Sequence, residues 1–372
     1  MTRIKVLISL FLCLILFAGC FANTDKDNKN YAVYRLQDNS QYFIDTPMGE
    51  YYMNPNDERG MIYFSEHGKH EFYILCNKPD CSHNDENCNA YAGLALGYYN
   101  NHLYSVYLND NSNKFTLVQM NMDGSEHKKI CILPEQHAPN GMTTGGGSFA
   151  FHNGFLLYEL CSDADNHLPT AYFKIALESG KAERLFETEV KDSILFGSDL
   201  KSFDNYVYFC TKSAKDNIYH LVQGNLATGE ATELIDDFND CYITNIDENT
   251  IYYFHFGLGF CEFDIKSKTE TVKLKTDYYV AQVTYTDDFI FAKTNKSEDF
   301  EDDWYFSVYD RDYHLLNQTN LGSNITAPQF MYVTDDVIYF SQIGDRVTHY
   351  MKLKTIEKDL TLVQMTDPYA GR

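Results

Sequence analysis

A polar turn followed by a run of β-branched and aromatic residues recurs seven times along the chain, most clearly as Asp335-Asp336-Val337-Ile338-Tyr339-Phe340. The other copies begin at Gly60, Asn100, Asn153, Asp204, Glu248 and Asp287. Aligned on the residue equivalent to Tyr339 (Tyr63, Tyr104, Tyr158, Tyr208, Tyr252, Phe291), they lie 39 to 54 residues apart. Each run is short, continuous and apolar, rich in β-branched and aromatic residues and bounded by a polar turn, which predicts strands, and the helical period is scarce throughout. Short strands repeating every 40 to 50 residues are the mark of propeller blades.

The last copy gives the fullest draft of a blade. Segments 329–333, 337–342, 347–354 and 359–363 read as strands A to D, joined by tight polar turns. The expected architecture is therefore all-β, a propeller of seven blades with four antiparallel strands each, forming one domain over 31–372. Segment 31–52 is left over by this phasing. It is expected to add an outer strand to the last blade and so close the ring without a free edge. Thirty Tyr and 26 Phe suit blades that bury both faces, so core packing is the reading of nearly every aromatic.

The N-terminus carries an address. Arg3 and Lys5 precede an apolar run from Val6 to Phe17, too short to span a bilayer, which takes about 20 residues. Leu16-Phe17-Ala18-Gly19-Cys20 then matches a lipobox, so residues 1–20 read as a lipoprotein signal peptide with Cys20 as the lipidated residue. Two or three acyl chains on one cysteine hold a protein at a membrane. Residues 21–30, polar and aperiodic, read as a flexible tether. The expected location is extracytoplasmic, anchored to the cell membrane by lipid alone.

Charge narrows the partners. The formal net charge is −23, and removing Arg3 and Lys5 with the signal peptide makes it −25. Such a surface repels polyanions, so nucleic acid and anionic headgroups are poor partners.

One stretch carries distinctive chemistry: Cys76-Asn77-Lys78-Pro79-Asp80-Cys81-Ser82-His83, closed by Cys88. Three thiols and an imidazole in the pattern C-x4-C-x-H-x4-C form a donor set that surrounds zinc tetrahedrally and leaves no open position. Cys81 and His83 share a face of an extended backbone, and Lys78-Pro79-Asp80 is a turn able to fold Cys76 back toward them. Asp80, Asp85 or Glu86 could hold the second imidazole nitrogen. Outside the cell cysteines normally pair, so a disulfide from Cys88 to Cys76 or Cys81 is the competing reading. Cys131, Cys161, Cys210, Cys241 and Cys261 lie in strand patterns and read as small buried hydrophobes.

Together the cysteine block, the lipobox and the repeated Asp-Asp-x-Ile-Tyr-Phe resemble a family of surface lipoproteins of Gram-positive anaerobes. Their domain of unknown function is likened to the YWTD propeller of low-density-lipoprotein-receptor relatives. The resemblance implies a location and a fold and brings no activity. Tyr-Phe or Tyr-Tyr stands here where the receptor repeat has Tyr-Trp-Thr-Asp, so receptor-type ligands do not carry over.

Other constellations carry less. The acidic hairpins at 109–113, 163–167 and 297–303 lack the ligand order of a calcium loop and read as solvated tips. His67-Gly68-Lys69-His70-Glu71 has the wrong order for a zinc protease motif and falls in a hairpin. Thr143 to Ser148 lacks the Gly-Lys-Ser/Thr end of a phosphate loop. The drafted entrances to the A strands (Tyr51, Leu94, Gly145, Ile194, Tyr242, Val280, Gln329) hold no His, Arg, Asp or Glu. A propeller enzyme converges such groups at its channel mouth. The expectation is a monomeric, non-catalytic binding module whose partner is a cell-surface protein or glycan, with structural zinc as its only candidate cofactor. The alternatives are an extracellular enzyme on carbohydrate or peptidoglycan fragments, favoured by histidines and carboxylates at a channel mouth, and a solute-capturing partner of a transporter, favoured by a deep apolar pocket.

Overall fold

In each blade the turn-plus-run pattern becomes an antiparallel meander, in which every strand bonds to the one before it in sequence. The computed structural model describes residues 43–365 apart from 54–59, 84–86, 110–113, 138–142, 145, 161–170, 188–199, 213–217, 240, 277, 297–301, 323–328, 335 and 342–346. The signal peptide, Cys20, the tether, residues 31–42 and the acidic tips 163–167 and 297–301 lie outside the described residues.

Seven four-stranded sheets make a seven-bladed β-propeller. Blade 1 runs from strand A, Phe43–Thr46, to strand D, Tyr73–Ile74; blade 2 from Leu96–Tyr99 to Lys128–Ile132; blade 3 from Gly146–His152 to Ala182–Glu187. Blades 4 to 7 run from Lys201–Phe203 to Ala231–Ile235, Cys241–Ile246 to Thr269–Leu274, Tyr279–Tyr285 to Leu315–Gly322, and Gln329–Val333 to Val363–Gln364. The A strands of blades 1 and 2, 2 and 3, 4 and 5, and 5 and 6 touch one another, so the A strands are innermost. Along the inner strands, A→B turns lie at one rim and B→C hairpins and D→A connectors at the other.

The repeated tyrosine explains how the blades stack. Tyr51, Tyr104, Tyr158, Tyr208, Tyr253 and Tyr339 all sit on B strands and are wholly buried, as is Phe291 in blade 6; in blade 5 this is the residue after the aligned Tyr252. A buried phenol needs a partner for its hydroxyl. In blades 2 and 4 it comes from directly across the sheet: Gln119 donates to Tyr104 at 2.7 Å and Gln223 to Tyr208 at 2.9 Å.

The structure corrects the phasing of blade 1. The run beginning at Gly60 forms strand C (Ile62–Ser65), and strand B is Gly49–Met53. Tyr51 therefore belongs to strand B and does not mark the entrance to an A strand. The described part of the leftover segment does not join the last blade: Phe43–Thr46 pairs with Gly49–Met53, and blade 7 takes all four of its described strands from the C-terminal end, while residues 31–42 lie outside the described residues. Both turns of blade 1 precede a Tyr-containing apolar run, so the pattern fitted either strand. Strand D of blade 7 is also shorter than drafted, Val363–Gln364. Asp359 instead accepts from the Thr361 amide and hydroxyl in a turn.

Candidate metal centre

Strand D of blade 1 is only two residues long, Tyr73–Ile74. The far end of the loop supplies the rest of that edge. Ile62 donates to the Ala90 carbonyl at 2.7 Å, and Met61 bridges Tyr91. The chain between these two pieces is thrown into turns and carries all four candidate donors. The Cys81 amide donates to the Lys78 carbonyl at 3.3 Å, which closes the Lys78-Pro79-Asp80 turn. His83 follows in the left-handed region (φ 52°), a conformation costly for a residue with a Cβ, held here by surrounding contacts.

The thiols of Cys76, Cys81 and Cys88 and one ring nitrogen of His83 all lie within 4.8 Å of one another. His83 Nδ1 is 3.3 Å from Cys88 Sγ. Around tetrahedral zinc, bond lengths of about 2.0 and 2.3 Å put nitrogen and sulfur roughly 3.5 Å apart, so the donor set fits that ion. Cys88 is wholly buried beside Met61 and Ala90, while Cys76, Cys81 and His83 are half-buried. All three cysteines are free thiols here.

The surroundings favour ligand formation unequally. Burial pushes the Cys76 thiol up, but hydrogen bonds from the Lys78 and Asn89 backbones, with Cys88 and Cys81 beside it, bring it below the ordinary thiol range. Burial dominates at Cys88 and pushes it up to about 12, although the Ala90 amide lies 3.4 Å from its sulfur. A divalent cation supplies the positive charge that a thiolate at Cys88 otherwise lacks. A second set of bonds ties the loop's ends: Asn89 donates to Asn77 at 3.2 Å and Lys78 Nζ to the Asn87 carbonyl at 2.5 Å. Blade 2 clamps it from outside. Tyr107 donates to the Tyr91 carbonyl at 2.6 Å, and His127 Nε2 lies 3.3 Å from the Asn89 carbonyl oxygen. Gly124 is required there, because a Cβ on it would stand 2.3 Å from that oxygen. Asp80 lies in the turn, while Asp85 and Glu86 fall outside the described residues.

A second feature escaped sequence reasoning. The ring closes between blades 7 and 1 over buried Glu50, Asp45 and Tyr339, with half-buried His70 and the more exposed His67 and Asp336 around them. Tyr339 donates to Glu50 Oε2 at 2.5 Å, His70 Nδ1 lies 3.1 Å from the Tyr339 hydroxyl, and His67 Nε2 lies 2.7 Å from Asp45. Asp336 stands 3.7 Å from His70 Nε2. Burial drives the Glu50 carboxyl up to about 7 against the opposing bond from Tyr339, and it lowers His70. The histidines of the discounted 67–71 hairpin are thus part of the ring closure. Glu50 stands in a strand buried along its whole length, and no periodicity in the sequence marks it.

Three other constellations resolve simply. Asp310, Asp312 and His314 could also hold an ion, yet Asp310 already accepts from the backbone of Asp312 and His314 and from the His314 ring in an exposed hairpin. Cys261 is buried, Cys131, Cys210 and Cys241 are half-buried, and Cys161 lies outside the described residues. No helix among the described residues is long and apolar enough to cross a membrane.

Comparison with known proteins gives the fold. No protein-family model and no curated protein matches the chain. Among solved structures it is similar to the β-propeller domain of the Trilobed protease from Pyrococcus furiosus. The identity is 10%, the TM-score 0.54, and the match covers 90% of this chain and 98% of that one. It is also similar to the Pyrococcus horikoshii acylaminoacyl peptidase, at 10% identity and TM-score 0.57, over 92% of this chain and 54% of the peptidase. A nidogen/laminin complex is matched at 9% identity and TM-score 0.38, over 60% and 74% of the two chains.

Proposed function

We propose that this propeller is a non-catalytic binding module at the cell surface, held to the membrane through Cys20, with a structural zinc fastening the outer edge of its first blade. The convergence of the Cys76, Cys81, His83 and Cys88 donors within 4.8 Å carries the reading. Four protein ligands fill a tetrahedral shell and leave no position for water or substrate, so such an ion works by holding backbone in place. Here it joins the short strand D to the returning Ala90-Tyr91 segment. The lipobox and tether support the location, and the acidic surface points to a neutral or basic partner, a surface protein or glycan.

The test is a native mass spectrum of the chain purified without reductant, followed by its denatured mass. One zinc per chain, lost on denaturation with all three thiols alkylatable, is the expected result. A metal-free mass lighter by two hydrogens would instead establish a disulfide and make His83 incidental.

A further inference from the structure

The sulfurs of the first blade's loop are placed to serve either of two bonds. Those of Cys76, Cys81 and Cys88 lie within 4.8 Å of one another and of the His83 ring nitrogen, and all three are free thiols. Two sulfurs on one zinc sit about 3.8 Å apart, whereas a disulfide draws them to about 2.05 Å. The two outcomes exclude each other. A disulfide takes two of the four ligands and leaves one thiol and one imidazole, too few to close a tetrahedral site.

Access decides which pair reacts. Cys76 and Cys81 are half-buried and flank the Lys78-Pro79-Asp80 turn, which the Cys81 amide closes on the Lys78 carbonyl at 3.3 Å. Cys88 is wholly buried against Met61 and Ala90. A small oxidant arriving from solvent meets Cys76 or Cys81 first, and the other of the two waits across the same turn. Cys88 is instead the point on which the returning edge leans. The Ala90 amide lies 3.4 Å from its sulfur and the Tyr91 amide donates to its carbonyl at 3.1 Å.

We propose that the centre formed by Cys76, Cys81, His83 and Cys88 is a peroxide-operated switch, in which oxidation joins Cys76 to Cys81 and releases the metal. The inference rests on the zinc reading above and adds a regulation to it. One thiolate attacks the hydroperoxide and keeps one oxygen as sulfenic acid, while the other oxygen takes a proton and leaves as water. The second thiolate attacks that sulfur, forms the S–S bond and expels hydroxide, which a further proton converts to water. Two electrons pass from the sulfurs to the peroxide, and the zinc ion departs to solvent. His83 and Cys88 then lose their common anchor, and the Ala90-Tyr91 edge loosens beside Tyr107 of blade 2.

The test starts from the full chain in mild detergent, reduced, loaded with zinc and freed of reductant. Hydrogen peroxide is titrated in, and native mass is followed together with peptide mapping after alkylation. Loss of the zinc is expected with a chain lighter by two hydrogens, a Cys76–Cys81 link and an alkylatable Cys88, all reversed by dithiothreitol and added zinc. Hydrogen exchange at the Ala90 and Tyr91 amides is expected to quicken about tenfold, with blade 6 unchanged. Zinc retained in excess peroxide overturns the proposal. So does zinc loss with Cys88 in the link, or with sulfinic acids in place of a disulfide. A reduced chain that takes up no zinc fails the metal reading itself, a result distinct from zinc that binds and then does not leave.

Discussion

Blade 1 is fastened twice, and the two fastenings work by different physics. At its outer edge, four side chains within thirteen residues gather around one point, and the chain between Cys76 and Cys88 is closed locally. At the ring seam the closure joins Glu50 and Tyr339, 289 residues apart, through packing and buried polar bonds. Phe43 stacks on Tyr332 at 3.8 Å there, and Phe72 meets Phe43 and Tyr339 edge-on. No described strand crosses from one end of the chain into the other end's sheet. On the proposed reading a short loop is held by a few specific ligands, while a long-range seam spreads its hold over aromatic area around a carboxyl that burial raises to about 7.

The largest effect tests the local fastening. Cys88→Ser is expected to abolish stoichiometric zinc and to cost at least ~4 kcal/mol, because losing a structural metal is among the few changes of that size. Equal thermal stability of the variant and the zinc-loaded protein would remove the first half of the comparison.

The seam is tested by pH. A carboxyl raised from 4.5 to about 7 on folding stays protonated in the folded state over that window while it ionises in the unfolded chain. Through this group stability is therefore fully present below pH 4.5 and falls as pH rises to about 7, by roughly 3 kcal/mol in all. The groups facing it are Asp45, Asp336, His67 and Tyr339. Glu50→Gln removes the titration, so its melting temperature relative to the parent should climb between pH 4.5 and 7.5. A constant offset would mean that the seam holds by packing alone.

Two smaller effects sharpen the contrast. Tyr339→Phe leaves the Glu50 carboxyl and the His70 ring without the shared hydroxyl, at a cost of about 1–3 kcal/mol in urea unfolding. Asn89→Ala loses one half-buried bond to Asn77, about 1 kcal/mol. It should also weaken zinc retention against a competing chelator about tenfold, as changes behind the ligands do. No change in retention would show that the ligands alone hold the loop.

Much of this was written in the chain. The turn-plus-run pattern names the B strands of six blades, since a short continuous apolar run between polar turns has few other ways to bury its aromatic residues. The four donors at 76, 81, 83 and 88 are legible because their spacing is local, and a single turn suffices to gather them. Blade 1 was misphased because Asp45-Thr46-Pro47-Met48 and the turn before Ile62 are equally good turns, and strand pairing alone decides which run is strand B. The seam was not legible for a related reason. His67, His70, Glu50 and Tyr339 are ordinary polar residues until the ring brings distant segments together. Periodicity and local spacing carry information over tens of residues, so the sequence determined the architecture and the metal-binding pattern. Burial, and with it the raised Glu50 carboxyl, exists only once neighbouring blades have excluded water from both faces.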